Sequence, residues 1–331
     1  MADAYTGARD YGAAAGGGAQ WTASLPAASQ QDTFAAVADK SVTLTGSPSG
    51  PSYSWALIDP AGDDQVALMG GGGGDPGDVA AHGGWTPDLP GNWVEECTVT
   101  VGSDVQVVTR TVQVGDDEGF VYLDLSTDGT ATDPNNVLDA GSSSLGVTST
   151  LVADTNHGSI DAGLDPYVRA LNVQTYRPAT ARMLVTRVKI ATPATTGPSA
   201  GACGIGCYVG TSATPASTEG YHCDFIINNL DQLRYRSSVE RLGSATSGAS
   251  AASGALVADM VVTFRGLAPE APQSAVSQLM GSSSGLIIDE STAHAAGTWT
   301  DIFAGIYLSQ ENATPGAKVT WTGVKVGWKW A

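Results

Sequence analysis

The stretch GAKVTWTGVKVGWKWA, residues 316–331, decides the fold class. Val324, Val326, Trp328 and Trp330 recur at every second position, and Lys325, Gly327 and Lys329 fall between them. A period of two is the pattern of a strand with one buried face. Counting back in twos puts Trp321 on the lysine side, so its ring is expected to face outward while Trp328 and Trp330 point into a core.

The same pattern recurs upstream. Strand candidates are RALNVQTY (169–176), RMLVTRVKIA (182–191), GIGCYVG (204–210), HCDFIINNL (222–230), LRYRSSVERLG (233–243), ALVADMVVTFRG (255–266), GLIIDES (285–291) and DIFAGIYLS (301–309). Only Asp231 and Gln232 separate FIINNL from LRYRSS, which reads as a tight connection between antiparallel strands. These candidates, with FVYLDL from residue 120, form one large sandwich expected over 119–331. A second block precedes it. KSVTLTG (40–46), SYSWALIDPAG (52–62), TPDLPGNWVEECTVTVG (86–102) and VQVVTRTVQVG (105–115) alternate in the same way, with Trp93, Glu95, Cys97, Val99 and Val101 on one face. Residues 1–32 hold AAAGGGA and no apolar period, so they are expected to form a flexible arm, anchored on a partner by Trp21 and Leu25.

The chain of 331 residues has 42 Gly and 16 Pro, which suits short strands and turns rather than long helices. Its 33 acidic residues against 15 basic ones give a net charge of -18. That charge repels phosphate backbones and anionic headgroups, which argues against nucleic-acid and membrane-surface partners. No run reaches the ~18 apolar residues of a membrane helix. The start lacks a basic segment followed by an apolar core, so no secretory signal is expected.

Residues 33–115 resemble the PKD and wider immunoglobulin-like families. The resemblance lies in SVTLTG as the second strand, YSW with Trp55 as the third, and DLPGNWVEECTVTV as the turn into the sixth. Trp93 stands where those families carry a corner tyrosine, and the second strand has no cysteine for an inter-sheet disulfide. Residues 119–331 resemble a concanavalin A-like or laminin-G-like jelly roll, in the pair DFIINNLDQLRYR followed by MVVTFRG and in FAGIYL followed by the closing strand. The expected class is all-β, an immunoglobulin-like sandwich followed by a larger jelly-roll sandwich.

Chemistry-bearing residues are sparse. Cys203 and Cys207 have three residues between them, and His222 and Cys223 are adjacent. Neighbours on a strand point to opposite faces, so these do not share a zinc ion easily. Either two of Cys203, Cys207 and Cys223 pair, or all stay reduced; Cys97 is expected to be a small core hydrophobe. GGGDPG (72–77) fits a phosphate-loop pattern and GSSSG (281–285) a nucleophile elbow, but no helix pattern follows either. The four histidines, His82, His157, His222 and His294, share no ligand spacing. No acidic string along one strand supplies a glycosidase pair, since Asp289 and Glu290 are adjacent. The loop STDGTATDPNNVLD offers Asp128, Asp133, Asn135, Asn136 and Asp139 as calcium donors, though turn formation explains the same letters. An outward Trp321 beside Tyr307 would form a platform for a sugar ring, against the alternative that it packs on a neighbouring domain or subunit.

Short strands, an acidic surface, no signal peptide and no reactive constellation lead to an expectation. It is a non-enzymatic virion surface protein of a tailed phage or similar virus, decorating the head or forming part of a tail fibre. It would assemble in the host cytoplasm on capsid or tail proteins and on further copies of itself, and contact host glycans. The rival expectations are an extracellular carbohydrate-binding module or lectin and, with less in its favour, a polysaccharide-cleaving enzyme.

Overall fold

A computed structural model describes residues 21–46, 48–70, 75–133, 136–154, 167–181, 183–192, 202–210, 213, 220–228, 233–241, 244–253, 260–267, 275–281, 285–292, 301–311 and 318–331. The chain divides into two compact units, 1–119 and 120–331. Both are built from strands, and the helical segments among the described residues are single 3-10 turns at Val66–Gly70 and Val173–Tyr176.

The first unit contains β1 (Thr22–Ser24), β2 (Ser29–Gln31), β3 (Lys40–Ser41), β4 (Thr43–Thr45), β5 (Ser52–Ile58), β6 (Ala81–His82), β7 (Gly91–Val101) and β8 (Asp104–Val114). Its main sheet has the order β2-β8-β7-β5, and β1-β4 and β3-β6 form two short ladders. β7 and β8 are a long hairpin, paired from Gly91↔Val114 to Val101↔Asp104. Alternation along β7 buries Trp93, Glu95, Cys97 and Val99 completely, and β5 adds Trp55 and Leu57 to the same core.

The expected arm is corrected here. β1 pairs with β4, and β2 lies parallel to the end of β8, Ser29↔Val112 to Gln31↔Val114. Gln106 bridges the gap between: its amide accepts from Ala23 N and donates to the Trp21 carbonyl. Trp21 is buried within its own unit and Leu25 is half-buried, so neither is an open anchor for a partner. The segment carries no apolar period because parallel pairing at a sheet edge uses its backbone, not an apolar face. Residues 1–20 lie outside the described residues.

The second unit contains β9 (Val121–Tyr122), β10 (Thr130–Thr132), β11 (Ser149–Asp154), β12 (Tyr167–Asn172), β13 (Met183–Thr192), β14 (Ala202–Gly210), β15 (Gly220–Asn228), β16 (Leu233–Arg241), β17 (Ser244–Ser253), β18 (Met260–Leu267), β19 (Ala275–Gly281), β20 (Gly285–Thr292), β21 (Phe303–Glu311) and β22 (Lys318–Trp330). They form two sheets, β10-β12-β21-β14-β15-β16-β17 and β11-β22-β13-β18-β19-β20, with β9 added beside β22. Pairing throughout is antiparallel. The sheets lie face to face, β13 on β14 and β15 on β18, so each strand needs one apolar face and alternation follows. β15 and β16 pair antiparallel as expected; their connection lies outside the described residues.

Four strands of this unit escaped the sequence reading. β10, TAT, and β11, STLVAD, are short strands at sheet edges, β17, SATSGASAAS, is a sheet-edge strand of small polar residues, and β19, AVSQLMG, mixes apolar and polar positions. None of the four carries the alternation by which the others were found.

Candidate functional site

Trp321 is the first candidate, and the structure corrects it. Its side chain is fully buried, opposite Leu151 of β11, which is equally buried. The cause is one residue. Thr150 faces Thr322 while Ser149 faces Val324, so β22 has an extra residue at Gly323 relative to β11. Such a bulge shifts the parity of the strand. Val319 and Trp321 before it and Val324, Val326 and Trp328 after it therefore all enter the core. Gly323 adopts φ +67°, and a Cβ there would sit 2.5 Å from the Ala191 Cβ. The indole Nε1 of Trp321 has no hydrogen-bond partner among the described residues.

Tyr307, the second half of the expected platform, is also buried. It clusters with Ala170 and Tyr208, and Phe303 packs against the group. Register explains the cluster: Gly305 sits between Ala170 and Tyr208 across β12, β21 and β14, so these positions share a face. Burial pushes the Tyr208 hydroxyl well above its ordinary pKa. Trp321 and Tyr307 lie in different sheets, and the structure does not bring them together as a surface.

The acidic loop after β9 is likewise occupied. Both carboxylate oxygens of Asp133 accept backbone N–H groups, from Val137 at 2.7 Å and Leu138 at 2.9 Å. Asp128 accepts from the Asp124 N–H, and Asp124 from the Ser126 N–H and hydroxyl. Asp139 accepts from Gly141 N and Ser142 N and pairs with Lys318. These carboxylates close turns one by one and do not converge; no group of three His, Cys, Asp or Glu able to hold a metal occurs among the described residues. Asp128, Asp133 and Asp139, the residues expected to offer calcium donors, are thus each engaged in a turn: turn chemistry and calcium chemistry select the same residue types. Asn135 lies outside the described residues, and Asn136 adopts φ 51°.

The lysines of the closing strand do face outward, as their alternation predicts, but not into open solvent. The Lys325 and Lys189 ammonium groups lie 5.3 and 5.4 Å from the Tyr122 ring. Arg187 is 3.8 Å and Lys329 4.6 Å from that of Phe120. Gly327 makes the arrangement fit, because a Cβ there would meet the Tyr122 ring at 2.9 Å. Four cations thus clasp a strap of two aromatic residues onto the outer face of the sheet.

A site the sequence reading missed lies inside the first unit. Glu95 is fully buried, accepting from Trp85 Nε1 at 2.7 Å and from Arg110 at 2.7 Å. The same guanidinium donates to the Ala27 carbonyl at 3.1 Å and to the Ser29 hydroxyl at 2.6 Å. His82, also buried, places Nε2 3.6 Å from Glu95 and its ring edge-on to Trp55. The available signal was Glu95 itself, an acid on an otherwise apolar face with Trp93 and Cys97. Burial pushes the Cys97 thiol up to about 11 and that of Cys203 to about 12, so both are protonated and inert as nucleophiles. Of the phosphate-loop string only Asp75–Gly77 is described, and Asp75 there accepts from Gly77 N. Residues 282–284 of GSSSG, and His157 and His294, lie outside the described residues.

No protein-family model and no curated protein matches the sequence. Solved structures do resemble it. A protein of unknown function from Shewanella oneidensis is similar over 85% of this chain and 87% of its own, at 11% identity and TM-score 0.36. A legume lectin-like domain from Entamoeba histolytica is similar over 63% of this chain and 98% of its own, at 10% identity and TM-score 0.35. A prokaryotic β-1,3-1,4-glucanase from a mouse hindgut metagenome is similar over 55% of this chain and 79% of its own, at 10% identity and TM-score 0.33. These likenesses are too distant to carry a substrate or a residue role. The all-β class and the two-sheet sandwich stand on the strands themselves.

Proposed function

We propose that this chain is a non-enzymatic structural protein of a virion surface, a head decoration or fibre component of a tailed phage or similar virus. One observation carries the reading: the described groups best suited to a ligand or a reaction are taken up in holding strands together. Trp321 and Tyr307 lie in the core, Asp128, Asp133 and Asp139 close turns, and Glu95 and Arg110 lock the entering strand. A protein committed in this way suits durable display, and its net charge of -18 keeps copies soluble until a partner is met. The partners in this reading are capsid or tail proteins and further copies of the chain, and the sandwich faces host glycans.

Immunogold electron microscopy of lysates from cells carrying the gene tests it. Label on particles is the expected result. Label confined to free monomer would overturn the reading, and so would release of reducing ends from a polysaccharide by the purified chain. A glycan array separates the lectin alternative: strong sugar binding by a chain that never joins a particle favours it.

A further inference from the structure

Three cysteines fall within residues 203–223, and their spacing alone leaves open which of them pair. The strand register closes the question. β14 and β15 run antiparallel with Cys207 directly opposite Cys223, whereas Cys203 is opposite Ile227. We propose that Cys207 and Cys223 are a cross-strand disulfide site that closes when the chain meets an oxidant of the disulfide class, and that Cys203 takes no part.

Distance decides between the pairings. Directly opposed antiparallel positions have Cα atoms about 4.5–5.5 Å apart, inside the roughly 4.4–6.8 Å window of a disulfide. Cys203 lies four residues along β14 from Cys207, about 13 Å at the strand rise of ~3.3 Å per residue. It is therefore out of reach of Cys207, and of Cys223 opposite it. Cys97 belongs to the other unit. Cys203 and Cys207 are buried, and the Cys203 thiol is held protonated by that burial, so the bond forms as the two strands come together rather than on the finished sheet. The chemistry balances with a low-molecular-weight disulfide. The first cysteine thiolate attacks one of its sulfurs and releases one small thiol. The second cysteine attacks the mixed disulfide and releases the other. Two electrons pass to the small disulfide, and the two cysteine protons end on the released thiols.

This site is independent of the virion reading. The test uses the full chain, reduced and unfolded, then refolded in a mixture of oxidised and reduced glutathione. Intact-mass measurement should show loss of two hydrogen atoms. A non-reducing peptide map should show one bridge, from 207 to 223, with Cys97 and Cys203 alkylated only after unfolding. The Cys203→Ser variant should keep the bridge and Cys223→Ser should lose it. The bridged form should unfold at a higher temperature than the same preparation treated with reductant. A bridge that includes Cys203 would overturn the proposal. A stable glutathione adduct, or a folded oxidised chain with Cys207 and Cys223 both alkylatable, would do the same. The map is read on the unsubstituted chain, so a variant that fails to fold leaves the result intact.

Discussion

In the first unit the indole N–H groups of Trp55, Trp85 and Trp93 each reach an acceptor: the Val79 carbonyl, the Glu95 carboxylate and the Leu89 carbonyl. In the second, Trp330 donates to the Val173 carbonyl, but the N–H of the buried Trp321 finds no acceptor among the described residues. The contrast separates two ways of making a core. Around Glu95 the position of each ring is specified by a directional bond, and the network reaches outward to fix β2. Around Trp321 no such bond is made among the described residues, and volume and apolar area carry the packing.

The contrast breaks most visibly at Trp321. Trp321→Ala should destabilise the second unit by about 3–5 kcal/mol, the range for a large ring removed from a core, measured by denaturant unfolding of the full chain. An exposed platform ring would give a change near zero. Arg110→Ala should cost a similar amount, about 3–5 kcal/mol, because it leaves a buried carboxylate uncompensated. Hydrogen exchange should place that loss in β2 and β8 and leave the second unit unchanged. Replacing Glu95 and Arg110 together by apolar residues of similar volume should recover most of it, which would show that the pair specifies structure more than it stabilises it.

Gly323→Ala should cost about 1–3 kcal/mol, from the left-handed backbone and the close approach to Ala191. Its exchange signature should appear along the β11–β22 ladder. The smallest effect concerns acid. Pairing with Lys318 holds the Asp139 carboxyl below the usual carboxylate range, and the Ser126 hydroxyl does so for Asp124. A depressed folded pKa gives stability that is complete above the unfolded value of about 4 and is lost as pH falls through the folded one. The unfolding midpoint of Asp139→Asn should therefore approach that of the unsubstituted chain only as pH falls below about 4.

Much of this was legible beforehand, and the failures have physical causes. Alternation located β5, β7, β8, β13 and β22, because a strand covered on one face must alternate. It misassigned Trp321 because parity counting assumes an unbroken ladder, and the bulge at Gly323 inserts one residue that composition does not announce. It missed β2, β10, β11 and β17, which lie at sheet edges where pairing rests on backbone bonds, and β19, whose apolar and polar positions do not alternate. The Glu95–Arg110 pair joins residues opposite one another across a hairpin. A two-residue connection at Gly102 and Ser103 within VEECTVTVGSDVQVVTRTV fixes that register, which the sequence reading did not draw, and nothing in the sequence points to the third element, Ser29 on β2. The acidic loop was ambiguous in principle, since Asp at a turn looks like Asp at a cation.

The parallel seam between β2 and β8 has one more consequence, and it is mechanical. After β1 the chain runs along β2, and it leaves the first unit along β8; the two strands run side by side at the exit, where Gly115 N donates to the Gln31 carbonyl and Gln30 donates back to that of Gly115. Tension that reaches β2 from its N-terminal end and β8 from its C-terminal end acts along the seam, so these bonds and the Arg110 bonds to Ala27 and Ser29 are sheared together instead of being opened in turn. A module tied in this way resists being pulled lengthwise far better than being peeled.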